Sequence, residues 1–254
     1  MERPLILVTN DDGVTATGIR ALVEMAKEFG EVYVVAPDSP QSGMGHAVTL
    51  NSTLFCDEIE VDADVKEYAC SGTPVDCVKL AVSQILPRKP DLCISGINHG
   101  SNSSVNVIYS GTMSAAVEAG IEGIPAVGFS LCDFAYNADF KAGEKFIKKI
   151  IAEVLTNKLP KGVVLNVNIP KLEESEIKGI KVCRQADAKW EEKFDKREDP
   201  RGRTYYWMSG EFKNLDKGDD TDERALEEGY VSVVPVRYDL TAHHFLGDLR
   251  NWDL

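Results

Sequence analysis

Two carboxylates stand side by side at Asp11-Asp12, framed by Asn10 and Gly13. Adjacent carboxylates repel, and each raises the other's pKa unless a cation lies between them. A divalent metal resolves that conflict. The same residue types also make an ordinary turn, so their surroundings must decide. Directly before them, Leu5-Ile6-Leu7-Val8-Thr9 is an apolar, β-prone run that reads as a buried strand. The pair thus sits where a strand ends, and in an open α/β sheet ligands bind outside the carboxyl ends of the strands. Two further polar loops follow strands in the same way. One carries Ser42, within Ser39-Pro40-Gln41-Ser42-Gly43-Met44-Gly45-His46. The other carries Asn98, within residues 96–104, after Asp91-Leu92-Cys93-Ile94-Ser95. Together Asp11, Asp12, Ser42 and Asn98 make an all-oxygen set suited to a hard cation such as Mg²⁺, Mn²⁺ or Ca²⁺.

The elements that must position these groups read as alternating strands and helices. Thr15 or Thr17 can cap a helix over about 18–29, with Ile19, Leu22, Val23 and Ala26 on one face. Val32 to Ala36 is the second strand, and the β-α-β unit should be parallel and right-handed. Residues 46–55 look extended, with a hairpin turn at Asn51-Ser52. Val65 to Cys70 is a further strand. Thr73, Pro74 and Asp76 open a helix running to about Leu86. Ser110-Gly111-Thr112 lead into a helix over Met113 to Gly120, and residues 125–130 are strand-like. After residue 131 come an amphipathic helix over 140–155, a strand over 163–169, and another over 180–184. Residues 187–202 are strongly charged, Thr204 to Met208 is aromatic and β-prone, and 216–222 is acidic and turn-like. A strand over 230–235 and a helix from Thr241 close the chain.

Bulk composition removes several function classes. The 254 residues suffice for one large α/β domain or for a domain with an appendage. A formal net charge of −13 argues against bulk nucleic acid or an anionic membrane as partner. No apolar run is long enough to span a bilayer. Met1-Glu2-Arg3-Pro4 leads straight into a strand, so no signal peptide is expected and the expected location is cytoplasmic. The six cysteines lack C-x-x-C spacing and read as free thiols rather than disulfides or zinc ligands.

Five motifs in order and spacing resemble the SurE (survival protein E) nucleotidases. They are Val8-Thr9-Asn10-Asp11-Asp12-Gly13; Ala36-Pro37-Asp38 with Ser42-Gly43-Met44-Gly45-His46; Ser71-Gly72-Thr73-Pro74-Val75-Asp76; Ser95-Gly96-Ile97-Asn98-His99-Gly100-Ser101-Asn102; and Tyr109-Ser110-Gly111-Thr112. The resemblance implies a Rossmann-like α/β three-layer sandwich with a mostly parallel sheet and C-terminal hairpin and helix arms that swap between subunits. It implies a catalytic core over 1–131, and a C-terminal part over 132–254 carrying an oligomerisation arm at about 187–228. It implies one divalent ion per subunit on Asp11, Asp12, Ser42 and Asn98, with Asp11 and Asp12 catalytic. Asn10, Gly43, Asn98, Asn102, Ser110, Gly111 and Thr112 would bind phosphate or substrate. His99 stands where some relatives carry Arg and is given no catalytic role. The implied activity is hydrolysis of nucleoside 5′-monophosphates, with 3′-monophosphates and short polyphosphate as further substrates, in a homodimer or homotetramer.

Such hydrolysis is among the slowest uncatalysed biological reactions, with enzymatic accelerations up to ~10²¹. The site must neutralise three phosphoryl oxygens and align a nucleophile. A cation on the aspartates would polarise the phosphate and acidify a water. The helix start at Ser110 to Thr112 suits an anion, which is how so acidic a chain could bind one. Two nucleophiles fit: a water, or Asp11 itself by way of an aspartyl-phosphate. A nucleotide-binding or sensing protein without turnover is the competing class. A dinucleotide-dependent oxidoreductase is disfavoured, since Asn10-Asp11-Asp12-Gly13 stands where G-x-G-x-x-G would be needed.

Overall fold

Alternation sets the two faces of the central strands. In β1 (Leu5–Thr9), Ile6 and Val8 face one apolar cluster and Leu7 the other. All five residues of this strand are buried, as expected of a strand covered by helices on both sides. The computed structural model describes residues 3–135 and 137–254. The expectation of no signal peptide rests partly on Met1 and Glu2, which lie outside the described residues.

In chain order β1 leads to α1 (Thr17–Lys27), β2 (Glu31–Pro37), β3 (Cys56–Ile59) and β4 (Lys66–Cys70). Next come α2 (Pro74–Leu80) with a π turn to Ile85, β5 (Leu92–His99), α3 (Asn106–Tyr109), α4 (Gly111–Ile121) and β6 (Ala126–Leu131). A 3-10 turn then opens α5 (Glu144–Asn157), followed by β7 (Val163–Ile169), β8 (Ile180–Val182), β9 (Ala188–Glu198) and β10 (Thr204–Asn214). The chain closes with α6 (Asp222–Glu227), β11 (Val231–Arg237) and α7 (Leu246–Leu249). The nine-stranded sheet runs β3-β4-β2-β1-β5-β6-β7-β11-β8. Its central pairs are parallel, while β3 on β4 and β11 on β7 are antiparallel. The sheet continues from β6 into β7 across the boundary expected at residue 131.

Helices cover both faces, giving the three layers. The α1 residues Ile19, Leu22 and Val23 pack with Ile147, Ile150 and Ile151 of α5. On the other face lie Cys77 and Val78 of α2 with Met113, Ala115, Ala116 and Ala119 of α4. Each large side chain so buried contributes about 1.5–3 kcal/mol. Thr73 caps α2 as the sequence suggests, and Asp76 completes a capping box, with Thr73 accepting from Asp76 N and Asp76 accepting from Thr73 N.

Five expectations are corrected. Helix α1 is capped at Ala16 without any side-chain bond, not at Thr15 or Thr17. Residues 46–55 form no strand among the described residues; the hairpin is β3 with β4. Asn98, expected in the loop after Ser95, lies within β5, which continues to His99 and pairs Asn98 with Ser130 of β6. No helix starts at Thr241; a 3-10 turn at His243–Phe245 precedes α7. Finally, the six cysteines are not all free thiols. Cys56 and Cys70 are direct antiparallel partners in β3 and β4 and are joined by a disulfide. Cross-strand pairing brings their Cβ atoms together, and spacing along the chain carries no trace of it. Among the described residues, no helix is long and apolar enough to cross a membrane.

Candidate active site

Strands β1 and β5 pair in parallel with Thr9 opposite Ser95. This register sets the loops after them side by side. Strand β2 lies on the other flank of β1, so the order reverses between β1 and β5, where open α/β sheets bind ligands. The loop after β2 is tied to the same rim: Val14 N donates to Pro37 O and Gln41 N to Asp11 O at 2.7 Å. These bonds carry Ser42 and Gly43 into the wall of a 590 Å³ cleft shared with Asp11, Asn98, Asn102 and Ser110. A larger depression of 810 Å³ opens at the amino-terminal ends of the strands, near Lys89, Lys158 and Lys161. Its one acid, Asp91, is held by Arg88, so the carboxylate chemistry belongs to the smaller cleft.

Asp11 is buried, and its Oδ1 accepts from the Thr112 hydroxyl at the start of α4. Burial pushes its carboxyl up to about 6; the Thr112 bond opposes the rise, and the Asp12 charge adds to it. Burial raises the Asp12 carboxyl as well, against a backbone bond donated by His99 N at 3.4 Å. Gly111 lets the helix come this close. A Cβ there would lie 2.6 Å from Asp11 Cβ and 2.8 Å from its Oδ2. Ser110 caps α4 by accepting from Met113 N, and the positive end of the helix faces the cleft.

Asn98 donates Nδ2 to the carbonyls of His99 (3.1 Å) and Gly100 (2.9 Å). Both partners only accept, so the amide orientation is forced and Oδ1 is left for the cleft. Asn102 spends its Nδ2 on Ser130 Oγ and its backbone on Asn168 and Asn166. Asn10 is almost wholly buried and closes the turn through Nδ2 to Gly13 O; like Asp12, Gly111 and Thr112, it does not line the cleft. The ring of His99 packs edge-on against Phe140.

Two carboxylates that burial holds toward the neutral form, with the oxygens of Asn98 and Ser42 beside them, fit a hard divalent cation. Among the described residues no cluster of three or more His, Cys, Asp or Glu could hold a metal. A bound ion would therefore rest on these two aspartates and neutral oxygens.

Several site residues escape a reading of the sequence. Asn166 and Asn168 lie on one face of β7, and Asn168 Nδ2 donates to Asn166 Oδ1 at 3.0 Å. Two asparagines spaced by two in an apolar strand are the signal, because burying an amide is costly unless it is paired. Asp222, Glu223, Trp190 and Phe212 come from the far end of the chain. Glu223 takes a bond from the Ser103 hydroxyl, and burial raises its carboxyl. No local pattern marks Trp190, Phe212 and Glu223 for the cleft, or Asp222 for its bond to Ser104 N.

Comparison with known proteins agrees with this geometry. The family described as Survival protein SurE matches residues 6–192. A protein of Christiangramia forsetii named 5′-nucleotidase SurE is 71% identical, covering 100% of this chain and 98% of its own length. A protein of Phocaeicola vulgatus with the same name is 44% identical, with 100% and 98% covered. The crystal structure of the SurE protein from Aquifex aeolicus superposes with a TM-score of 0.84 at 41% identity, covering 97% of this chain and 98% of that one.

Proposed function

The chain belongs to the SurE family, and we propose that it is a 5′-nucleotidase. It would hydrolyse nucleoside 5′-monophosphates to nucleoside and phosphate, with 3′-monophosphates and short polyphosphate as further substrates. The observation that carries this reading is the Asp11–Asp12 pair at the β1/β5 switch point, with Asp11 buried and bonded to Thr112 at the positive end of α4. Asp11, Asp12, Ser42 and Asn98 would hold one divalent ion, Mg²⁺, Mn²⁺ or Ca²⁺. Such an ion supplies charge neutralisation at the phosphoryl oxygens and acidifies a water.

The chain's own groups do the rest. Thr112 holds one oxygen of Asp11, which lines the cleft. Asp12 or Asp11 orients the attacking water; direct attack by Asp11 is the other route. Ser110 and Gly111 offer the phosphate the amino end of α4, and Asn98 and Asn102 flank it. We propose the cytoplasm as its location and a homodimer or homotetramer as its assembly. Exposed Phe194, Tyr206, Trp207 and Met208 on the β9–β10 ribbon support the assembly.

A phosphate-release panel across 5′- and 3′-monophosphates and tripolyphosphate, with each metal, tests the activity. We expect Asp12→Asn to abolish release and weaken metal binding while the far-ultraviolet circular dichroism stays unchanged. Full activity in that variant, or in excess chelator, would overturn the reading. Tight nucleotide binding without phosphate release under any metal would instead favour a sensing protein.

A further inference from the structure

The β9–β10 ribbon has two unlike ends. Its outer part is exposed on both sides, whereas Trp190 and Phe212 at its root line the same cleft as Asp11 and Asn98. They are direct cross-strand partners, with rings edge-to-face at 5.5 Å. The Trp190 indole N–H donates to Asn106 Oδ1 at 2.7 Å, which ties the ring to the first residue of α3. Phe134, mostly exposed, lies over Gly100 and lines the cleft as well.

This aromatic wall is anchored, not incidental. Asp222 is fully buried and bridges the two parts. One oxygen accepts from Ser104 N at 2.8 Å, the other from Ala186 N at 2.9 Å, and Ser104 Oγ donates to Ala186 O at 2.9 Å. The loop beside the carboxylates and the root of the ribbon are therefore tied together by three hydrogen bonds. Burying part of Trp190 and Phe212 against a polar cleft has no packing reason on this side, since neither belongs to the hydrophobic core. A ligand with an anionic end and a flat aromatic end satisfies both halves at once.

We propose that Trp190, with Phe212 behind it, is the stacking platform for the nucleobase of the substrate. The inference rests on reading the Asp11–Asp12 end as the phosphate site. Stacking is tolerant of base identity because every base has a π face, so this wall predicts acceptance of purines and pyrimidines alike, with purines preferred for their larger faces. The ribbon would then serve the reaction at its root, whatever its outer part does.

The test compares AMP with ribose 5-phosphate, which keeps the phosphate and sugar and lacks the base, in Mg²⁺ buffer. We expect Trp190→Ala to lower the ratio of kcat/KM for AMP over ribose 5-phosphate by about tenfold or more, carried by KM. Trp190→Phe, which keeps a ring but loses the bond to Asn106, should retain most of the ratio. Phe212→Leu should lower it less than Trp190→Ala does, and covers the case in which that variant folds poorly. An unchanged ratio in Trp190→Ala and Phe212→Leu would overturn the proposal. So would an equal loss in Trp190→Phe, which would make Trp190 a positioning residue acting through Asn106. Calorimetric affinities for the same two ligands on the same proteins make the comparison independently of turnover. If the wild type binds AMP but releases no phosphate, the hydrolase reading fails while the base subsite is still decided.

Discussion

Replacing Gly111 by Ala should separate the position of Asp11 from the stability of the helix that holds it. The added Cβ would sit 2.6 Å from Asp11 Cβ, whereas non-bonded carbons rest about 3.5–4.0 Å apart. Something must therefore move by about 1 Å. Asp11 is buried, its Oδ1 is held by Thr112, and its backbone carbonyl is held by Gln41, so no flexible group can yield cheaply. Overpacking of this kind costs about 1–3 kcal/mol in stability. A shift of about 1 Å in a reacting group can cost about 100-fold in rate. Gly120→Ala on the same helix is the control, because its Cβ would meet only Val164 Cγ1, a side-chain methyl, at 2.6 Å. We expect both variants to change the urea midpoint, and only Gly111→Ala to lower kcat/KM by two orders of magnitude at saturating Mg²⁺. Wild-type turnover in a folded Gly111→Ala protein would refute the idea that close approach of α4 sets Asp11. Equal losses of rate in the two variants would refute it as well.

Three further outcomes are expected. Thr112→Val keeps the shape of the side chain but removes the hydroxyl from Asp11, a bond to a charged group worth about 1.5–3 kcal/mol; calorimetry should show Mg²⁺ affinity at pH 7 reduced by about tenfold or more. Burial tends to raise the Glu118 carboxyl, but the bonds from His46 and Lys79 outweigh it and hold it below its ordinary 4.5. Its contribution is present above that pH and lost as pH falls through the depressed folded value. The stability gap between wild type and Glu118→Gln in urea melts should therefore close as pH falls below 4.5. Removing ribbon residues 192–210, which spares Trp190, Phe212 and Asp222, should lower the assembly state by light scattering; an unchanged mass would show that the exposed aromatics are not the interface.

The local parts of the site are legible in the chain. Each strand carries its own alternation or apolar run, each loop its turn chemistry, and the start of α4 its serine cap, because those signals arise between residues a few positions apart. They are enough to place Asp11, Asp12, Ser42 and Asn98 on one rim. Local signals mislead where a residue's fate rests on a partner they do not reveal. Cys56 and Cys70 look like any scattered thiols until β3 and β4 pair.

By itself, then, the sequence determined the strand-loop-helix units, the polar character of their carboxyl-end loops, and a carboxylate pair that asks for a cation. Only the tertiary structure decided that β1 lies against β5, that Thr112 reaches across 101 positions to Asp11, and that Trp190 comes back beside Asn106. The reason is physical. Backbone preference and capping act within a turn or two of chain, whereas burial, the pKa of Asp11 and the wall of the cleft are set by which surfaces the whole sheet brings together.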